Sequence, residues 1–342
     1  MMNYTLVLLS PFLIYILSKF FINRSILLNF TGDKHQNYTL KEKIPLTGGI
    51  FLALYSIIFL SKFEYLSLFI LLIFLLGVLS DLKIFNSAKF RFLLQILIVL
   101  SFVLYNDLYL QNTKIIIIDQ LLNYKTYNYF FVLVCILILL NGTNFIDGLN
   151  TNVLGYYTTI SLFLYQSNQD FFLINFSYWN LWISILIILF FFNLFNKMFI
   201  GDSGSYVLGF IFGYLLIEVY MNNQKLSPFY IILLIWYPCF ETLFSIIRKF
   251  IFNRSPISPD IFHLHQLLFM FIKKKGRLSV LKSNNISGIL INAYNFLILL
   301  IGSMFYSNTQ YQILLIIFNI FVYCILYFKL FNYLYKNQNK KS

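Results

Sequence analysis

The chain has 342 residues, of which 60% are hydrophobic, 20% aromatic and only 11% charged. A soluble domain carries roughly 25% charged residues, so a soluble globular protein is excluded. The formal net charge of +13 has to be read by where the basic residues fall before nucleic acid is considered.

Apolar runs predict eleven membrane-spanning helices, at 5–22, 46–60, 65–79, 90–105, 129–140, 153–165, 179–195, 206–220, 229–247, 286–305 and 311–331. The expected fold class is all-α: a polytopic integral membrane protein forming one transmembrane domain over 1–342. The first run has no basic segment before it and no small-residue cleavage site, so it reads as a retained helix. Several runs fall short of the roughly 20 residues a span needs. Their polar flanks must then complete them at membrane depth, where such groups persist only against protein or a wet cavity. The stretch 113–124 is apolar but too short to span, and its role is not legible. Cys135, Cys239 and Cys324 lie inside apolar runs with no disulfide or metal spacing.

An odd number of spans puts the termini on opposite sides, and the positive-inside bias chooses between them. With the N-terminus outside and the C-terminus cytoplasmic, the inner loops collect nearly all the lysines and arginines. Only Lys62, Lys114, Lys125 and Lys225 remain outside. The charge is therefore explained by topology, and no nucleic-acid partner is called for. The longest inner loop, 248–287, carries an apolar piece at 261–272 that predicts a short amphipathic interfacial helix. Its basic run Lys273–Arg277 reads as a solvated, lipid-facing patch.

The twelve acids are scarce enough for their placement to matter. Asp81, Asp147 and Asp202 each stand where an apolar helix meets an inner loop, and Asp260 lies in the large inner loop. Residues 141–152 read NGTNFIDGLNTN, which steps Asn141, Asn144, Asp147 and Asn150 by three. On a helical turn that spacing gathers polar groups on one face. Residues 199–206 read FIGDSGSY; glycine lets backbone approach a phosphate and aspartate can hold a cation that bridges phosphates. Residues 45–50 read PLTGGI, with Gly48 and Gly49 entering a helix, and 259–265 read PDIFHLH, with His263 and His265. Each has a plainer reading. A glycine pair serves helix packing, a buried aspartate can be a structural ion pair, and His-x-His without a third ligand is weak evidence for metal. Four amides and acids at one helix end resist the plain reading best, because they are costly at membrane depth unless they bind something.

In this order, over residues 41–268, the five segments resemble the polyprenyl-phosphate N-acetylhexosamine-1-phosphate transferases. PLTGGI is similar to that family's first glycine motif, and GVLSDLKIFNSAKFRFLLQ (77–95) to its aspartate-rich loop. NGTNFIDGLN resembles its Asn-x-x-Asn-x-x-Asp-Gly motif, FIGDSGS its Gly-Asp-x-Gly-Ser motif and PDIFHLH its Pro-Asp-x-x-His-Leu-His motif. The resemblance implies a Mg²⁺-dependent enzyme, with Mn²⁺ as an alternative, in the cell inner membrane with its active site on the cytoplasmic face. Its reaction would join the sugar 1-phosphate of a UDP-N-acetylhexosamine to polyprenyl (undecaprenyl) phosphate and release UMP. N-acetylglucosamine is the default sugar, and O-antigen-type surface polysaccharide the default product. Another N-acetylhexosamine, the peptidoglycan pathway and a homodimeric assembly stay open. Carried over by motif, Asp81, Asp147 and Asp202 are the catalytic acids, Asp202 and Asp81 the metal ligands. Asp147, Asn144 and Asn141 line the nucleotide side, and Asn150 is taken as a further substrate-binding residue. Asp260, His263 and His265 belong to a substrate-recognition loop within 248–287, and Gly48 and Gly49 to the substrate site.

Two departures bear on mechanism. Ser80 stands where the family has the first of two paired aspartates, a residue proposed as the base for the lipid phosphate; serine cannot act so at neutral pH. Asn150 replaces a further aspartate. Lys83, Lys89 and Arg91 follow Asp81 and read either as positive-inside anchors or as cations gripping phosphate, with Lys83 and Lys89 taken as the candidates. The competing class is a transporter, which would place its charges near the midplane on broken helices instead of on one membrane surface.

Overall fold

A computed structural model describes residues 2–29, 43–60, 64–223, 225–253, 255 and 261–336. These form α1 (Met2–Arg24), α2 (Gly48–Leu60), α3 (Glu64–Asp81), α4 (Ala88–Tyr105), α5 (Ile116–Leu122), α6 (Lys125–Ile146), α7 (Asn152–Ser167) and α8 (Gln169–Asn175). They continue with α9 (Trp179–Leu194), α10 (Gly201–Asn222), α11 (Pro228–Leu234), α12 (Trp236–Ile251), α13 (Leu264–Gly276), α14 (Val280–Met304) and α15 (Thr309–Phe331). Apart from one isolated bridge between Leu28 and Pro45, the described residues contain no β-structure. Helices satisfy their own backbone polar groups, which a bilayer cannot do for them.

Every segment expected to span is helical, but not every one is a full span. Six helices are long and apolar enough to cross a membrane, and up to eight if two bent pairs each count as one. Those pairs are α8 with α9, bent by 97°, and α11 with α12, bent by 76°. The expected span 229–247 is thus a broken one, interrupted at Ile235. The three remaining expected spans are α2, α3 and α7. They are short helices, the first two of them mainly apolar.

The bundle is built around α10, whose most apolar window is 83% buried against 22% for α1, α4 and α15. It packs on α6 and α3 and then on α2. Gly209 permits the approach to α6, since a Cβ there would lie 2.6 Å from Leu140 Cα. Buried aromatics fill the middle of the bundle, with Trp179, Trp182 and Phe212 in mutual contact and Phe102 edge-on to Phe210 and Tyr214. Asp81, Arg91, Asn144, Asp147, Asp202 and His263 gather at one end: the C-terminal ends of α3 and α6 and the N-terminal ends of α4, α10 and α13.

Candidate active site

The loop before α10 enters the helix through Gly201, whose φ of +69° lies in the left-handed region glycine tolerates best. A Cβ at Gly201 would also meet Asp81 Oδ2 at 2.7 Å. Asp81 closes α3 and turns both carboxylate oxygens to this helix start. Oδ1 accepts from the Asp202 amide at 2.8 Å and Oδ2 from the Ser203 amide at 3.1 Å. The first amides of a helix have no partner inside it, and a carboxylate there also meets the positive end of the helix dipole. Asp81 therefore fixes where Asp202 stands.

Asp202 collects partners from three further positions. Arg91 Nη1 of α4 lies 3.1 Å from Oδ2, and it also donates to the Ser80 hydroxyl, which in turn donates to Oδ2. Asn144 Nδ2 of α6 donates to Oδ1 at 2.8 Å and to Ser205 Oγ at 3.1 Å. Asp147 follows α6 directly, and its carboxylate repels those of Asp202 and Asp81. Four helices thus bring three acids, an arginine and an amide to one end of the bundle.

The other expected residues divide. Asn141 is half-buried and donates to Gln95 Oε1 at 3.0 Å, one turn below Asn144. Asn150 does not join the site face. The helix ends at Ile146, so the three-residue step breaks and the chain turns inward. There the Asn150 side chain is buried, donating to Asn196 at 3.1 Å and Asn285 at 3.0 Å, while its amide donates to Asn284. Its role is to tie the α6–α7 turn to the α9–α10 loop and α14. Gly48 and Gly49 stand behind the acids and not among them. A Cβ on Gly49 would meet Ser203 Oγ and lie 2.6 Å from the Gly204 amide, so these glycines let α2 close on α10. Lys83 and Lys89 are exposed, and the cation on Asp202 is Arg91. Asp260 lies outside the described residues. His263 precedes α13 as its N-cap, and His265 packs on the Asp147–Gly148 turn, where a Cβ on Gly148 would meet its Nε2. The apolar piece 261–272 is largely α13, and its first turns are buried rather than interfacial.

The signal for Arg91 was present in the sequence. Ser87 caps α4, and Arg91 and Gln95 follow at four-residue steps, forming a polar stripe along the helix. Residues four apart share a face, and Gln95 is 1% exposed. Lys89 stands off that stripe.

Among the described residues no three His, Cys, Asp or Glu side chains are gathered closely enough to hold a metal ion as they stand. The donor chemistry nevertheless fits a hard divalent cation. Asp81 Oδ1, Asp81 Oδ2 and Asp202 Oδ1 each accept one donor in the contacts above, which leaves each a lone pair for a cation. Three mutually repelling carboxylates meet one guanidinium, which leaves negative charge for a cation to balance.

Residues 63–220, a little under half of the chain, match the model of glycosyl transferase family 4. That range holds the Ser80–Asp81, Asn144–Asp147 and Asp202 segments whose side chains meet in space. Over that range the chain is similar to the family 4 glycosyl transferases. Over 289 residues it is 26% identical to the undecaprenyl-phosphate alpha-N-acetylglucosaminyl 1-phosphate transferase of Thermotoga maritima, covering 83% of this chain and 84% of that one. It is 34% identical over 87 residues, 21% of each chain, to the decaprenyl-phosphate N-acetylglucosaminephosphotransferase of Mycolicibacterium smegmatis. The names of these two relatives describe transfer of an N-acetylglucosamine phosphate, one with undecaprenyl phosphate and the other with decaprenyl phosphate.

Proposed function

We propose that this protein transfers N-acetylglucosamine 1-phosphate from UDP-N-acetylglucosamine to undecaprenyl phosphate on the cytoplasmic face of the inner membrane. The observation that carries the reading is the convergence of Asp81, Asp147, Asp202, Asn144 and Arg91 at one end of the bundle. A soluble donor and a lipid-borne acceptor can meet at such an end. The crowding of basic residues in the loops assigned to that side supports the cytoplasmic placement.

The chemistry asks for positioning and charge more than for a base. An oxygen of the lipid phosphate attacks the sugar-bearing phosphorus of the donor, and the bond from that phosphorus to the bridging oxygen breaks. UMP leaves with that oxygen. The lipid monoester is mostly dianionic at pH 7, its second pKa being about 6. Two dianions enter, polyprenyl diphosphate sugar and UMP leave as two dianions, and no proton need be removed. Ser80 in place of an acid is consistent with that balance. Asp202 and Asp81 would hold Mg²⁺ or Mn²⁺, which when bound neutralises diphosphate charge. Arg91 offers a guanidinium fork for phosphate oxygens, and Asn144 holds Asp202 in place while Asp147 faces the nucleotide side. Catalysis of this kind is largely electrostatic.

The test is transfer of radiolabel from UDP-N-acetylglucosamine to undecaprenyl phosphate in membranes, with Asp202→Ala as control. Organic-extractable label that needs divalent metal and disappears in the variant supports the reading. Transfer only from another UDP-N-acetylhexosamine keeps the reaction and corrects the sugar. Folded protein that transfers from no donor overturns the proposal.

A further inference from the structure

Glu241 lies in the first two turns of α12 and is fully buried. A carboxylate is costly to bury unless it is paired and hydrogen-bonded. Its Oε1 lies 2.9 Å from His263 Nδ1, and its Oε2 accepts from the Tyr323 hydroxyl of α15 at 2.8 Å. His263 stacks on His265, with ring centroids 5.6 Å apart and planes 11° apart, and its ring lies 5.5 Å from that of Phe145. Phe145 sits between Asn144 and Asp147, so the histidine loop rests on the site's own helix. One face of α12 continues the hold on this loop. Arg248 donates to the Phe262 carbonyl and, at 3.0 Å, to the Tyr327 hydroxyl.

We propose that Glu241 is a positioning residue for His263: it accepts from Nδ1–H and holds the histidine loop against the end of α6 that carries Asn144 and Asp147. The proposal rests on the transfer reading above. A carboxylate on one ring nitrogen fixes both the tautomer and the orientation of the ring. A ring so held is pre-organised for the donor. Tyr323 satisfies the second carboxylate oxygen and keeps Glu241 from rotating away. Mere packing would not place a carboxylate here, because a glutamine or leucine would fill the volume with less desolvation.

The experiment is a double-variant comparison in nanodiscs, with Glu241→Gln, His263→Ala and the pair. Glutamine keeps the volume and an acceptor for Nδ1–H while removing the charge. Glu241→Gln lowers kcat/KM for the UDP-sugar on the order of 10- to 100-fold, and adds nothing further when His263 is already alanine. Tyr323→Phe gives a smaller loss that the His263→Ala background also absorbs. Equal losses in both backgrounds would show that Glu241 acts through packing and would overturn the proposal. An arm independent of transfer uses ¹⁵N-histidine label. The protein has three histidines, and the His263 Nδ1 resonance, assigned by its loss in His263→Ala, moves in Glu241→Gln. An unmoved resonance overturns the pairing even in a protein that transfers nothing. A moved resonance in a protein without transfer keeps the pairing and counts against the transfer reading alone.

Discussion

Asp81 accepts from the backbone amides of Asp202 and Ser203, so the acid at the end of α3 caps the helix that begins with Asp202's neighbour. Two acids 121 residues apart are thereby held in one geometry without touching through their side chains alone. Like charges would otherwise separate them. The amide dipoles of the α10 start stand between the two carboxylates and offset that repulsion.

Asp81→Ala is expected to cost about 1–2 kcal/mol of stability, the usual loss for a helix cap, and to abolish transfer. Asp81→Asn keeps one of the two acceptors, so it should cost less stability than alanine while still losing the charge. Thermal unfolding in detergent together with the transfer assay separates the two. An alanine variant as stable as wild type would refute the capping role.

Arg91→Gln should reduce kcat/KM for the donor on the order of 100-fold, since a charge-assisted contact is worth about 1.5–3 kcal/mol. Lys89→Gln, off the inward stripe, should lie within about threefold of wild type. Steady-state kinetics on both variants decides, and a larger loss at Lys89 would reverse the assignment.

Ser80→Ala is expected to retain turnover to within about tenfold, because it removes one net hydrogen bond worth roughly 1 kcal/mol and no base. Loss of turnover with donor binding intact would give the serine an active part that the charge balance does not require.

Gly49→Ala should destabilise by about 1–3 kcal/mol, the cost of overpacking, because its Cβ would press on Ser203 and the Gly204 amide. The readout is thermal unfolding, and an unchanged midpoint would show that α2 can retreat from α10.

Chelation of divalent metal should stop transfer without unfolding the bundle, and Mg²⁺ or Mn²⁺ should restore it. Circular dichroism and the transfer assay in parallel check this, and activity that survives exhaustive chelation would remove the metal from the mechanism.

The helical content of the bundle could be read from apolar run length, and the ends of the runs located Asp81, Asp147 and Asp202. Run length carries no information about bends, which is why the breaks around α8–α9 and at Ile235 were missed. Periodicity assumed a helix through Asn150, but Ile146 is its last residue, and the fourth amide turned from site to scaffold. Gly48 and Gly49 were legible as a close approach but not as an approach to which neighbour. Among three nearby cations, only the register set by Ser87 and confirmed by Gln95 singles out Arg91. Glu241 lies within an apolar run, but its partners are 22 and 82 residues away, beyond what spacing can connect.

The central position of α10 has a consequence for biosynthesis. A chain made from its N-terminus delivers α1 to α9 to the membrane before α10 leaves the ribosome. Those earlier helices must hold a slot lined by Gly49, Gly77 and Leu140 for a late arrival, with Asp81 waiting uncapped at its mouth. Insertion of α10 fills the slot, gives Asp81 its two amide donors and brings Asp202 beside Arg91 and Asn144 in one event.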